Sequence, residues 1–309
     1  MAQQVNEVRV SEPLAVGLVG AGPWALLAHA PMLAEGPDTT LAGVWARRQD
    51  AAAEVLRQHG APVFDTYHHL LDACDAVAFA VPPDVQVPLA IEAAERGKAV
   101  LLEKPIALTV DDARRLADAV GGAGVGSVVG LSYRFAPAVQ AFLDAAVDLD
   151  PDGGRAAFVS NALLEGAFAG SPWRREHGAL LDIGPHALDL VDAALGPIVD
   201  VAARRSYDGG WVGLLLGHEG GAVSEVSLSA HSGVEPAQFT AEVFGRGGGV
   251  QVDAMSAVAD SWEETTAGVR STLVHQARHP STHELDVHRG LHLQEVVAQA
   301  VAAAGRPQG

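Results

Sequence analysis

The feature that most constrains this chain is a glycine turn set between a strand and a helix near its start. Leu14 to Val19 reads LAVGLV, short and apolar, and runs into Gly20-Ala21-Gly22-Pro23-Trp24-Ala25, a G-x-G-x-x-A sequence. The following residues, ALLAHAPMLAE, have helical spacing and good helix formers. Two glycines so placed permit a sharp turn and close approach of backbone to a pyrophosphate, which then sits at the positive end of the next helix. Pro23 suits the first helical position, where no amide hydrogen is needed. With 34 glycines in the chain, a bare glycine pattern carries little. Its placement inside strand, turn and helix is what favours a dinucleotide over a merely structural turn.

The same grammar then repeats. LAGVWA, DAVAFAVP, AVLLE and GSVVGLSY read as strands, and QDAAAEVLRQHG, VQVPLAIEAAERG and VDDARRLADAV as helices, the first two closed by Gly60 and Gly97. Strands alternating with helices predict an α/β fold with a doubly wound parallel sheet, a Rossmann domain over residues 13–130. Beyond Leu131 the pattern changes. AAFVSNALL, IVDVAARRSY, WVGLLLG, AVSEVSLSA, FTAEVFG and VQVDA follow one another with little helix between them, which favours a large, mainly antiparallel open sheet. Helices are expected at PAVQAFLDAAV, HALDLVDAAL and HLQEVVAQAVAAA, all within a second domain over residues 131–309. The tail GRPQG reads as frayed.

Composition narrows the partners. A formal charge of -18 repels phosphate backbones and anionic lipid surfaces, so neither nucleic acid nor membrane is an expected partner. The opening MAQQVNEVRVSEP has no apolar core of the signal-peptide kind, and no stretch reaches the roughly 18 apolar residues of a membrane span. Cys74 is the single cysteine and reads as a reduced, buried thiol, consistent with a cytoplasmic location. Hydrophobic residues make up 49% of the chain but aromatics only 5%, so the core is built from Ala, Val and Leu, as helices packed on a parallel sheet require.

Longer stretches carry a resemblance. GLVGAGPWA, VPPDVQVPLAIEAAERGKAVLLEKPIALTVDDARRL, YRFAPAV and HGALLDIGPHALDLV are together similar to the glucose-fructose oxidoreductase, inositol dehydrogenase and rhizopine catabolism (Gfo/Idh/MocA) family over nearly the whole chain. The resemblance implies a Rossmann domain joined to an α/β domain whose open sheet often forms the subunit interface, hence a homodimer or homotetramer. It sets Gly20, Gly22, Pro23, Trp24, Pro82, Glu103 and Lys104 against a nicotinamide cofactor. Glu103-Lys104-Pro105 matches the signature that supplies a catalytic lysine, Lys104. Asp182-Ile183-Gly184-Pro185-His186 matches a second signature, whose acid and histidine face the reacting carbon. Arg134 stands in a stretch like the family's arginine-containing segment, and with Trp173 and Arg174 is a candidate for substrate contact. The glycine-rich run that commonly precedes the second signature is reduced here to Gly178, and Gln86 replaces a common histidine, which reads as a variation at the cofactor's edge.

The residue types suit the chemistry. Oxidising a secondary alcohol needs a base for the hydroxyl proton while hydride leaves the same carbon, and His186 is the natural candidate. A helix N-terminus disfavours imidazolium and keeps it neutral. Asp182, four residues earlier, could orient the substrate hydroxyl or the imidazole. Lys104 adds positive charge beside the reacting oxygen. Taken singly these residues also fit plainer roles: Lys104 as a solvated strand end, Asp182 and His186 as loop and helix-start positions, Asp189 and Asp192 as solvated helix positions. The i, i+4 pairs His279 with His283 and His288 with His292 suggest metal ligation, but Pro280 interrupts the first and no cysteine or carboxylate set completes either, so no metal is expected.

Two choices remain at this level. The second strand ends Val44-Trp45-Ala46-Arg47-Arg48, with no acid before Asp50, so Arg47 or Arg48 could pair with a 2'-phosphate and NADP is expected over NAD. Both arginines solvated, with Asp50 starting the next helix, is the alternative. The expected activity is hydride transfer at a secondary alcohol or ketone carbon of a sugar, polyol or related small molecule. A nicotinamide-dependent glycosidase with transient redox, or a dinucleotide-binding sensor without turnover, are the competing readings.

Overall fold

The computed structural model of the chain describes residues 12–206 and 210–305. The opening segment read for a leader, and most of the GRPQG tail, lie outside the described residues. The first five strands are β1 (Leu14–Val19), β2 (Thr39–Trp45), β3 (Ala76–Phe79), β4 (Ala99–Leu102) and β5 (Ser127–Val129). They form one sheet in the order β2-β1-β3-β4-β5, every pair parallel. Because strands β3 and β4 are buried along their whole length, they read as unbroken apolar runs rather than alternating ones. All strands point the same way, so the residues after β1, β3 and β4 gather at one edge. Strand order reverses between β1 and β3, and there an open parallel sheet leaves a crevice.

The other six strands are β6 (Pro151–Val159), β7 (Ile198–Arg205), β8 (Val212–His218), β9 (Val223–Ser229), β10 (Gln238–Gly245) and β11 (Gly248–Asp253), in the order β11-β10-β6-β9-β8-β7. Only β6 and β9 pair in parallel. Alternation along β10 buries Phe239, Ala241 and Val243 and exposes Thr240 and Phe244. Helix Gly184–Leu195 packs on the buried side.

Several elements differ from the sequence expectations. AAFVSNALL is a strand only as far as Val159, and GSVVGLSY is a strand only over Ser127–Val129, followed by a single tight turn of helix, Ser132–Phe135. The first helix opens as a π-helical turn, Ala25–His29. Helices Tyr67–Asp72, Pro172–Asp182, Ala254–Asp260 and Trp262–Arg278 were not anticipated. The last of these crosses back from the second half to pack on β4 and β5, and Arg270 Nε donates to Asp38 Oδ1 at 2.6 Å. Its apolar stripe is sparse, Val269 and Leu273 being joined by buried Thr265 and Gln276, so helical periodicity in the sequence is weak. No described helix is long and apolar enough to cross a membrane.

Candidate active site

The glycine turn has the shape its sequence requires. Gly20 has φ +113°, and a Cβ there would stand 2.4 Å from the carbonyl oxygen of Ala80, so only glycine lets the turn close against the end of β3. Gly22 is the opposite case: a Cβ would meet nothing within 4 Å, so its backbone faces open space. Pro23 begins the helix. A groove of about 500 Å³ runs past Gly20, Gly22, Trp45, Arg47, Arg48 and Pro82, and a second of about 510 Å³ past Gly22, Pro23, Trp24, Arg48, Pro82, Glu103, Lys104 and Trp173. Backbone open at a helix start, flanked by two arginines, fits a dinucleotide's phosphates and adenosine. Arg47 and Arg48 are exposed, with no acidic partner among the described residues.

An inner cavity of about 240 Å³ shares Trp24, Glu103, Lys104 and Arg174 with the second groove. It is also lined by Tyr133, Phe158, Ser160, Asp182, His186, Met255 and Trp262. Lys104, at the end of β4, donates from Nζ to the backbone oxygen of Asp182 at 2.6 Å and lies 3.6 Å from its carboxylate. Arg174 Nε donates to Asp182 Oδ1 at 3.0 Å, its guanidinium 4.7 Å from the ring centres of both Phe168 and Trp173. Gly178, at φ 69°, kinks helix Pro172–Asp182 between these two residues. The single glycine that stands before the second signature thus marks the bend of a helix.

His186 stands in the first turn of helix Gly184–Leu195 and is buried, its ring edge-on to Tyr133 at 4.8 Å. Burial, with the Lys104 charge second, holds the imidazole pKa well below its ordinary value. The helix N-terminus, expected to keep the ring neutral, is not among the causes. Asp182 bonds Arg174 and Lys104 rather than the imidazole, and His186 Nδ1 is buried with no partner. Burial also raises the Tyr133 phenol, keeping it protonated.

Glu103 is pinned from every side. Its Oε1 accepts from Trp24 Nε1 at 2.7 Å and stands 2.8 Å from His29 Nε2, while Gln86 Nε2 donates to its carbonyl and Gln86 Oε1 accepts from its amide, each at 2.8 Å. Gln86 is therefore a fully buried clamp on the Glu103 backbone, not a residue at the cofactor's edge.

Two expectations fail on placement. Arg134 does not line the cavity: it is buried, donating from Nη1 to Asp189 at 3.2 Å and pairing through Nη2 with Glu284. Asp189 and Asp192 are not solvated. Both are buried, Asp189 also accepting from Arg289 at 2.7 Å, and Asp192 pairing with Arg289 and with His292 at 2.7 Å. Trp173 reaches the groove but not the inner cavity. Among the described residues no cluster of three potential metal ligands occurs. Sequence reasoning missed Tyr133, Phe158, Ser160, Met255 and Trp262. Two signals were present: the i, i+2 spacing of Phe158 and Ser160 at the end of β6, and the helical spacing of Met255, Val258 and Trp262.

Comparisons with known proteins bear on the fold and the family. The GFO_IDH_MocA family, described as an oxidoreductase family with an NAD-binding Rossmann fold, matches residues 14–131, and the GFO/IDH/MocA C-terminal domain matches residues 153–251. D-apiose dehydrogenase of Paraburkholderia graminis is 34% identical over 149 residues, 44% of this chain and 39% of that protein. Glucose-6-phosphate 3-dehydrogenase of Bacillus subtilis is 27% identical over 186 residues, 57% of this chain and 52% of that protein. The chain thus matches about half or less of these relatives' lengths. In structure it is similar to GenD2 from gentamicin A biosynthesis, solved in complex with NAD, with a TM-score of 0.85 at 24% identity over 96% of this chain and 95% of that one. A putative myo-inositol dehydrogenase from Sinorhizobium meliloti gives a TM-score of 0.82 at 21% identity over 94% of this chain and 97% of that one. At such identities these likenesses speak to the fold. With the family's two domains matched in order across most of its length, this chain belongs to the Gfo/Idh/MocA oxidoreductase family.

Proposed function

We propose that the protein is a nicotinamide-dependent dehydrogenase or reductase acting at a secondary alcohol or ketone carbon of a sugar, polyol or related small molecule. The observation that carries this reading is the meeting of Lys104, Asp182 and His186 on one small cavity that opens on the groove of Gly22 and Trp24. The nicotinamide, when bound, takes or gives the hydride. The protein's part is proton handling, charge and shape. His186, kept neutral by burial, accepts the hydroxyl proton in oxidation and returns it in reduction. Lys104 brings a positive charge to the oxygen as alkoxide character develops. Asp182, held by Arg174 and Lys104, orients the hydroxyl. Aromatic rings of Trp24, Tyr133, Phe158 and Trp262 exclude water from the cavity.

Gly20, Gly22, Pro23, Trp24, Pro82, Glu103 and Lys104 are assigned to the cofactor, with Arg47 or Arg48 on a 2'-phosphate and NADP preferred. Residues 13–130 make up the dinucleotide-binding domain and 131–309 the substrate and oligomerisation domain, acting as a homo-oligomer in the cytoplasm. Incubation with NADP or NAD and a panel of sugars and polyols tests the activity. Reduced cofactor accumulating one for one with a ketone or lactone product supports it. Product formed with no net change in cofactor points to the transient-redox glycosidase instead.

A further inference from the structure

Ser160 follows β6 directly and lines the inner cavity. Its backbone is fixed at both ends, the amide donating to the Ser229 carbonyl at 2.8 Å and its own carbonyl accepting from the Ser232 amide at 3.1 Å. The residue is 3% exposed, yet its hydroxyl has no hydrogen-bond partner. Nearby hydroxyls leave it alone: Ser232 Oγ donates to Ser229 Oγ at 2.9 Å. A buried polar group without a partner destabilises a fold, and so persists where something outside the chain completes it.

The other polar side chains around the cavity sharpen the point. Lys104 and Arg174 each donate to Asp182, Glu103 is held by Trp24, and Ser132 is partly exposed. Two lining residues carry a buried polar atom without a partner, Ser160 at Oγ and His186 at Nδ1. Phe158 neighbours both: its ring lies 6.4 Å from that of His186, and Ser160 comes two residues after it, just past the end of β6. Phe158, Ile183 and Val258 have no polar side-chain atom to offer that hydroxyl, and neither Met255 nor Trp262 bonds it.

We infer that Ser160 is a specificity-determining residue that hydrogen-bonds a second oxygen of the substrate, distinct from the oxygen that reacts beside His186. The inference rests on the dehydrogenase reading above and deepens it. The preferred substrate carries at least two hydroxyl or carbonyl oxygens on one small ring or chain, and a simple secondary alcohol is a poor substitute. A site built to bond a hydroxyl discriminates strongly against the analogue lacking it, because the protein's own group is then left unpaired.

The test compares wild type with Ser160→Ala in two measurements. In the ligand-free protein the variant melts at the same temperature or higher, because the hydroxyl removed had no partner; a drop of several degrees would mean Ser160 is structural and would overturn the inference. For turnover the probes are myo-inositol, D-glucose and D-xylose, with monodeoxy analogues of whichever is used best, and NADP or NAD. Ser160→Ala lowers kcat/KM on the parent roughly ten-fold, mainly through KM, and leaves unchanged the single deoxy analogue that lacks the oxygen Ser160 reads. An unchanged parent kcat/KM, or an equal loss on every analogue, removes Ser160 from recognition while leaving the dehydrogenase reading standing. No turnover on any probe, with cofactor bound, contradicts the dehydrogenase reading and this inference with it.

Discussion

Lys104 Nζ donates to the backbone oxygen of Asp182 at 2.6 Å, a single hydrogen bond between two signatures separated by 78 residues in the chain. It joins the end of β4 to the junction of two helices in the second half, where His186 begins the next turn. The ammonium therefore reaches the cavity with its direction already set by backbone. Such preorganisation is what transition-state stabilisation needs, because no reorientation is left for the moment of reaction.

The helix that carries His186 is tied down on its far side by the buried charges. Arg289 lies between Asp189 and Asp192, and His292 and the Ile198 amide complete Asp192. Removing the guanidinium leaves two buried carboxylates short of a partner. Arg289→Met is expected to cost about 3–5 kcal/mol by urea unfolding, within the range for breaking a buried pair. A loss below about 1 kcal/mol would show that the network contributes little.

Acid acts on His186 and Asp192 in distinct windows. His186 binds its proton less tightly when folded than when unfolded, so it costs no stability above pH 6.5 and lowers stability increasingly as pH falls below 6.5. For the same reason the acidic limb of kcat/KM for alcohol oxidation lies below pH 6.5. Burial pushes the Asp192 pKa up, but its hydrogen bond to His292 and the Arg289 charge outweigh that and bring it down from 3.8 to about 2. Its contribution is whole above pH 3.8 and is lost as pH falls through about 2. Unfolding midpoints measured on both sides of pH 6.5 check the histidine: His186→Gln flattens the slope there, and an unchanged slope would mean the imidazole is not held neutral.

How much of this was legible in the sequence depended on how local each signal is. The parallel sheet and the glycine turn were readable because Gly20 and the apolar runs of β3 and β4 answer to neighbours a few residues away or to burial on both faces. Lys104, Asp182 and His186 were readable from two motifs and a family resemblance. Arg134 differs because its partners, Asp189 and Glu284, lie 55 and 150 residues further on, and Asp189 and Asp192 because theirs, Arg289 and His292, lie about 100 residues on; no local pattern announces a buried ion network. Helix Trp262–Arg278 was missed for the related reason that it packs on β4 and β5 with polar as well as apolar residues.

Arg47 and Arg48 are both exposed along the outer groove, and the proposed cofactor choice turns on them. NADP is expected to bind more tightly than NAD. Arg47→Ala is expected to lose about ten-fold in NADP affinity, the scale of one charge-assisted pair, with NAD affinity little changed. Calorimetric titration of each cofactor decides it. Tighter NAD binding in wild type, or an undiminished NADP affinity in the variant, would assign the arginines to solvent.

The outer face of the second sheet presents Leu215, Val223 and Phe244 half-exposed, beside Arg155, Glu225 and Glu242. The face is more mixed than the sequence suggested, with Arg155 Nη2 donating to Glu242 Oε2 at 2.8 Å. Pairing of two copies through it would cover the apolar residues and predicts a homo-oligomer, since monomers rarely leave such a patch open. Light scattering at micromolar concentration should give a mass of two or four chains, and Phe244→Lys should lower it. A monomeric mass for wild type would remove this face from the account.

The most direct test of the reaction centre is paired measurement of turnover and cofactor affinity in Lys104→Ala and His186→Ala, on a sugar or polyol that wild type oxidises. Both variants are predicted to lose on the order of 100-fold or more in kcat while binding the cofactor within a few-fold of wild type, because the charge and the proton acceptor act in the transition state and not on the pyrophosphate. Near-normal turnover in both would contradict the assignment of these residues to the chemistry.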